Sequence, residues 1–306
     1  MVDKNTIVSK VSKEVRRGKI EYTPRVGKKN KTRYPLQTNL NPGQHTVYLK
    51  SCDNSIDISQ VKVVIFCHLY YDDLIDEIFN YIKGIPCKVN ELWFSLPCDD
   101  PITPDHKTVN KKNKILRHYP NANIRIVPNK GKDIGGKLLC LRDYLSSTES
   151  TNDWMIFCHD KKSPHIKGSG GIKWRRELLS SIFSPFNIQK ALTVNASDKI
   201  LMWGGRVREG LVDSRAIAVH PGNFNYMKKI IRFFGFKTLP QTSAFIGGTM
   251  FWVDENFYRK CFKNININSI LELLELGDVT EPSYTHAIER MFGMLVTLNK
   301  GKIGII

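Results

Sequence analysis

Residues 123–145, NIRIVPNKGKDIGGKLLCLRDYL, run from a short apolar strand through a glycine-rich turn into a helix. Gly131 to Lys137 spells G-x-x-x-x-G-K, the opening of a Walker A phosphate loop. The next apolar strand, Trp154 to Asp160 (WMIFCHD), ends in an acid, as a Walker B strand does. Position 138 is Leu, where Ser or Thr would ligate Mg²⁺. That departure turns the balance away from an ATP-dependent kinase or hydrolase. Two readings remain: a tight turn that needs glycine for its backbone alone, and a loop for a diphosphate or sugar nucleotide. The second is favoured, with Asn129, Lys132 and Asp133 offering hydrogen bonds and charge.

Around this stretch the chain alternates strand and helix from Val61 onward. VKVVIFCHLYY, ELWFSLP, NIRIVP and DWMIFCHD have the continuous apolar texture of buried parallel strands. DDLIDEIFNYIKGI, with Leu74, Ile75, Ile78, Phe79 and Ile82 at helical spacing, and a Lys/Asn-rich segment reaching Tyr119 supply helices between them. The order predicts an α/β fold, a mostly parallel sheet of Rossmann type with helices on both faces. A polar loop (DKKSPHIKGSGG) and the helix IKWRRELLSSIF follow. SAFIGGTMFWVD is expected as one strand, with helices near 268–276 and 284–297 after it. Ligands of such sheets bind outside the carboxyl ends of the strands. His68, Asp99 with Asp100, Asn129 to Gly136, and His159 to Lys162 stand at four such ends.

The chain has 306 residues, 41% hydrophobic and 25% charged, ordinary values for a globular protein. No run is apolar enough to span a bilayer, and the N-terminus lacks the apolar core of a signal peptide. Seven cysteines without C-x-x-C spacing fit reduced, buried thiols better than a disulfide framework or zinc site. A cytoplasmic protein is expected. The net charge is +17, and residues 1–34 hold eleven Lys/Arg against three Asp/Glu. Residues 1–60 read as a basic arm on a domain of residues 61–306. Such an arm suits an anionic surface at the inner face of the membrane, or a polyanionic substrate, or is a solvated tail. No zinc finger, RNP-type aromatic motif or basic heptad repeat accompanies the charge, so nucleic acid is not expected.

Five blocks, IFCHLYYDDLIDEIFNYI, VPNKGKDIGGKL, FCHDKKSPH with WRRELLSSIF, FIGGTMFWV and THAIERMFG, together resemble the rhamnan synthesis F family of polysaccharide-assembly proteins. The likeness spans about residues 61–295. It implies a GT-A-like glycosyltransferase that moves rhamnose or a similar sugar from a dTDP- or UDP-linked donor to a growing glycan or lipid-linked glycan. It also turns the Walker-like string into an N-x-G-x-D-x-G donor block of Asn129, Gly131, Asp133 and Gly135. A non-catalytic scaffold that binds nucleotide sugar or glycan is the runner-up.

On that resemblance, the donor site takes in His68, Asp99, Lys132, His159, Lys161, Lys162, Arg175, Arg176 and Arg290. The departing diphosphate needs a cation beside it, a metal or Lys/Arg. Asp160 is the candidate metal ligand, but the sequence lacks the usual D-x-D here, and dependence on Mg²⁺ or Mn²⁺ stays open. Trp174, Gly247, Gly248, Thr249 and Phe251 are expected to face sugar or acceptor, although one of Phe251 and Trp252 should be core. In EPSYTHAIER, Glu281 ranks first and Glu289 second as catalytic base, with His286 orienting either.

Overall fold

A computed structural model describes residues 44–49, 57–147, 152–162, 170–212, 222–277 and 279–306, and side chains 194–198 and 211 fall outside the description. The chain divides into Met1–Asn39 and Leu40–Ile306, and the second unit holds every described residue. The basic stretch at 1–34, Cys52 and the Ser163–His165 part of the HDKKSPH block lie outside the described residues.

In chain order the strands and helices are β1 (Thr46–Tyr48), β2 (Lys62–His68), α1 (Ile75–Lys83), β3 (Lys88–Cys98), α2 (His106–His118), β4 (Asn123–Pro128), α3 (Lys132–Ser147) and β5 (Trp154–His159). They continue with α4 (Gly170–Phe183), α5 (Pro185–Asp198), β6 (Ile200–Gly204), β7 (Val207–Leu211), α6 (Asn223–Phe233), β8 (Thr242–Ile246) and β9 (Phe251–Asp254). Helices α7 (Glu255–Phe262), α8 (Ile267–Leu273) and α9 (Tyr284–Leu298) and strand β10 (Lys302–Ile305) complete the described chain.

The expected mostly parallel α/β sheet is present. Its eight strands run in the order β1-β10-β6-β9-β5-β2-β3-β4, and β9 alone among them is antiparallel to its neighbours. Three features differ from the sequence expectation. Thr46–Tyr48, within the segment read as an arm, is the edge strand paired with β10. The stretch 242–254 is two strands: β8 pairs with β7 in a separate small sheet, and β9 joins the main one. Gly248 at φ +90° and Thr249 at φ +49° break the run between them. Third, the glycine-rich segment is mostly helix, because α3 already begins at Lys132.

Pleating divides the core into two faces. Val64, Phe66, Met155 and Phe157 pack with α3 and α9 on one side, and Val63, Ile65, Cys67, Ile156 and Cys158 pack with α1 and α4 on the other. His68 and His159 extend the first series, which carries them beneath α3. No helix among the described residues is long and apolar enough to cross a membrane.

Candidate active site at the β2/β5 crossover

From β2 the chain steps outward through β3 to β4, then returns to place β5 on the opposite side of β2. This reversal lies between β2 and β5, whose carboxyl ends are the usual ligand position in open parallel sheets. His68 and His159 are register partners across it, and His68 is level with Ser95 of β3. Nδ1 of His68 is 2.9 Å from Ser95 Oγ. Burial pushes the His68 imidazole down to about 4 and that of His159 well below its ordinary value, so both are neutral at pH 7.

Close packing of α3 follows from its glycines. A Cβ on Gly136 would stand 2.5 Å from both His68 Nδ1 and Ser95 Oγ, and one on Gly135 would stand 1.9 Å from the Lys130 carbonyl. Ahead of the helix, Gly131 (φ +70°) donates its N–H to the Glu275 carbonyl at 2.7 Å, and the Asn129 carbonyl accepts from Gly277 at 2.9 Å. The Glu275 carboxylate accepts from the N–H groups of Tyr284 and Thr285 at the start of α9. The glycine block and the HAIER helix are thus joined through one residue, Glu275, that sequence reasoning missed.

Lys137 is fully enclosed. Its ammonium donates to Asp133 Oδ2 (2.8 Å), the Thr249 carbonyl (2.8 Å) and His159 Nδ1 (2.9 Å). Lysine has only donors, so Nδ1 of His159 accepts and the imidazole proton resides on Nε2. Thr249 Oγ1 also donates to Asp133 Oδ2. Burial alone would raise the Asp133 carboxyl, but the Lys137 ammonium and the hydrogen bonds from Lys137 and Thr249 hold it far below the carboxylate range. This geometry removes the Walker reading, since the lysine that would hold a phosphate is locked inside the protein. It also means that Asp133 and Thr249, expected to meet donor and acceptor, spend their polar atoms on each other and on Lys137.

The remaining expected residues divide into two groups. Lys161 stays at the carboxyl edge, its Nζ 4.2 Å from the Trp174 ring centroid. Gly248 donates its N–H to Glu289 Oε1 at 2.7 Å, and Gly247 donates to the Arg206 carbonyl at 3.2 Å. Arg290 bridges the two candidate bases, reaching Glu289 Oε2 at 2.7 Å and Glu281 Oε1. Nδ1 of His286 is 2.7 Å from Ser283 Oγ, and burial lowers its imidazole against the opposing pull of Glu281 and Glu289.

Others are placed differently from the sequence expectation. Arg175 is buried, paired with Glu77 (Nη2–Oε2 2.9 Å) and donating to the Lys161 carbonyl, so it fixes the loop rather than meeting a phosphate. Lys162 pairs with Asp73 at 2.7 Å. Arg176 and Asp99 are exposed, on α4 and just beyond β3 respectively. Gly135 belongs to the helix body. Phe251 and Trp252 are both core: Phe251 stacks on Phe157 and Trp252 on Trp203.

The residues do not suit a metal ion. Asp160 is buried, accepts from the Tyr71 N–H, and is pushed up to about 7 by its burial. Among the described residues no three His, Cys, Asp or Glu side chains gather to hold one.

No curated protein matches the chain at a significant level. The family described as Rhamnan synthesis protein F matches it over residues 32–301, a span that starts well before the likeness read from the sequence, at about residue 61. With most of its length matched, the chain belongs to the rhamnan synthesis protein F family, a family of polysaccharide synthesis.

Proposed function

We propose that this chain is a GT-A-like glycosyltransferase of polysaccharide synthesis. It takes a sugar such as rhamnose from a dTDP- or UDP-linked donor and passes it to a growing glycan, lipid-linked or free. The observation that carries this reading is the convergence at one carboxyl edge of the β2/β5 crossover, Lys161 and the Glu281–Arg290–Glu289 cluster.

In the proposed reaction an acceptor hydroxyl attacks the anomeric carbon while the bond from that carbon to the diphosphate oxygen breaks. The hydroxyl proton passes to a carboxylate, and the electron pair leaves with the diphosphate. Glu281 is the better base by geometry. Its side chain is 28% exposed and one oxygen bonds Arg290, whereas Glu289 is 15% exposed and engages both oxygens. Arg290 holds the two carboxylates in register, and Lys161 faces the charge that develops on the leaving group.

A second reading, a scaffold that binds nucleotide sugar without turnover, is favoured by one observation: Arg290 already pairs with both carboxylates. Titration with nucleoside diphosphates, a panel of dTDP- and UDP-sugars and ATP separates the readings. A transferase binds one donor and releases its nucleoside diphosphate, a scaffold binds it and releases nothing, and binding of ATP alone contradicts both.

A further inference from the structure

Trp174 sits between two cations from distant parts of the chain. Lys161, just beyond β5, has its Nζ 4.2 Å from the ring centroid, and Arg206, in the β6–β7 turn, has its Cζ at 4.9 Å. The turn is built for this position. Arg206 has φ +52°, and its carbonyl accepts from Gly247 in the turn between β8 and β9. Sequence reasoning did not single out Arg206, because nothing local marks it.

The polar atoms of this group are under-used. Among the described residues the Lys161 ammonium makes no hydrogen bond and no ion pair, while Asp133 and Glu289 act on it at longer range and burial weakens its hold on a proton. Nε1 of Trp174 is buried and has no hydrogen-bond partner among the described residues. Arg206 pairs with Glu177 only at 3.5 Å, with both side chains close to half exposed. Two positive groups around one ring repel each other, and a buried indole N–H left unpaired is unfavourable. A multiply charged anion would answer all three conditions.

We propose that Lys161, Arg206 and Trp174 Nε1 form a subsite for a phosphoryl group. The inference rests on the glycosyltransferase reading and deepens it: the phosphoryl group belongs to the donor diphosphate or to a phosphate-linked acceptor. Of the other cations nearby in sequence, Lys162 and Arg175 are held by Asp73 and Glu77, and Lys173 and Arg176 are exposed on α4.

The fold supplies its own reporter. Of the five tryptophans, Trp93, Trp154, Trp203 and Trp252 are buried, at 3%, 5%, 0% and 0% exposure, which leaves Trp174 as the one open to a ligand. The full chain is titrated with inorganic diphosphate, UDP, dTDP, uridine and geranyl diphosphate, following tryptophan emission and heat. The subsite requires that diphosphate-bearing probes change the emission and uridine does not. Lys161→Ala and Arg206→Ala should each weaken those probes about tenfold or more, Lys161→Arg should restore most of the loss, and Trp174→Phe should abolish the optical signal. Tightest binding of UDP or dTDP assigns the subsite to the donor, and tightest binding of geranyl diphosphate assigns it to the acceptor. If inorganic and geranyl diphosphate depend on Lys161 while nucleosides add nothing, the subsite stands and the nucleotide-sugar reading falls. If UDP or dTDP binds equally well to the parent, Lys161→Ala and Arg206→Ala, the subsite is overturned and the donor reading survives. Failure of every diphosphate-bearing probe to bind overturns both.

Discussion

The Lys137 ammonium lies 2.8 Å from Asp133 Oδ2, one turn earlier on the same helix, and its side chain is wholly screened from solvent. The pair joins three elements, because Lys137 also reaches the Thr249 carbonyl and His159 Nδ1. Removing one partner of a buried pair strands the other charge, which costs about 3–5 kcal/mol. Lys137→Met and Asp133→Asn should each lose stability of that order in urea unfolding, and the double variant should lose clearly less than their sum. Additive losses below about 1 kcal/mol would mean that the pair does not act as a unit.

Glycines in and after this block should divide by what a methyl group would strike. Gly135→Ala meets the Lys130 backbone at 1.9 Å, and Gly136→Ala meets two side chains at 2.5 Å. Gly235 has φ +77° and open space around it. Overpacking typically costs about 1–3 kcal/mol, and a left-handed Ala about 1 kcal/mol. The expected order of destabilisation is Gly135→Ala, then Gly136→Ala, then Gly235→Ala, read from urea midpoints. An equal, small effect at all three would contradict the close approach of α3 to the sheet. Gly135→Val should lower folded yield, so it is no clean probe of ligand binding.

The parts legible in the sequence were those with a local signal. Val63–Cys67 and Trp154–Cys158 are continuous apolar runs because both faces of β2 and β5 are covered, and Ile75, Ile78, Phe79 and Ile82 keep helical spacing because one face of α1 is buried. Gly247–Thr249 was hidden in an apolar stretch, since only backbone angles tell a close-approach glycine from one that reverses the chain. The Asp133–Lys137 pair did have a signal: i,i+4 spacing, with the lysine on the apolar face carrying Ile134, Leu138 and Leu141. What Lys137 and Trp174 meet could not be read, because Thr249 and Arg206 arrive from distant segments.

Two buried groups should give the stability opposite dependences on pH. His68 is held at about 4 by burial, against about 6.5 when unfolded. Its contribution is complete above about pH 6.5 and is lost as pH falls toward 4, about 3 kcal/mol in all. Asp160, pushed up to about 7 from about 4, behaves the other way, with stability present below about pH 4 and lost as pH rises through 7. His68→Asn should flatten the acid side of the profile, and Asp160→Asn should stabilise more at pH 8 than at pH 4.5. Urea midpoints at several pH values check both, and curves parallel to the parent would refute these burials.

The carboxylates of the α9 region offer a kinetic test. Glu281→Gln keeps the shape but cannot take a proton, so turnover should fall by about two to four decades while donor affinity stays within a few-fold. Glu289→Gln, which alters a bond to the Gly248 N–H, should change donor affinity and turnover together. If Glu289→Gln alone gives the pure turnover loss, the roles of the two are exchanged. If neither slows transfer beyond a few-fold, this block holds no base.

The most direct measurement is nucleoside diphosphate release by the full chain from a panel of dTDP- and UDP-sugars, with and without glycan acceptors, alongside Glu281→Gln. The account expects release from one donor class, stimulated by acceptor, with the sugar recovered by mass on the acceptor and the rate collapsing in the variant. Binding of a nucleotide sugar with no release under any acceptor would contradict the transferase and leave a binding scaffold.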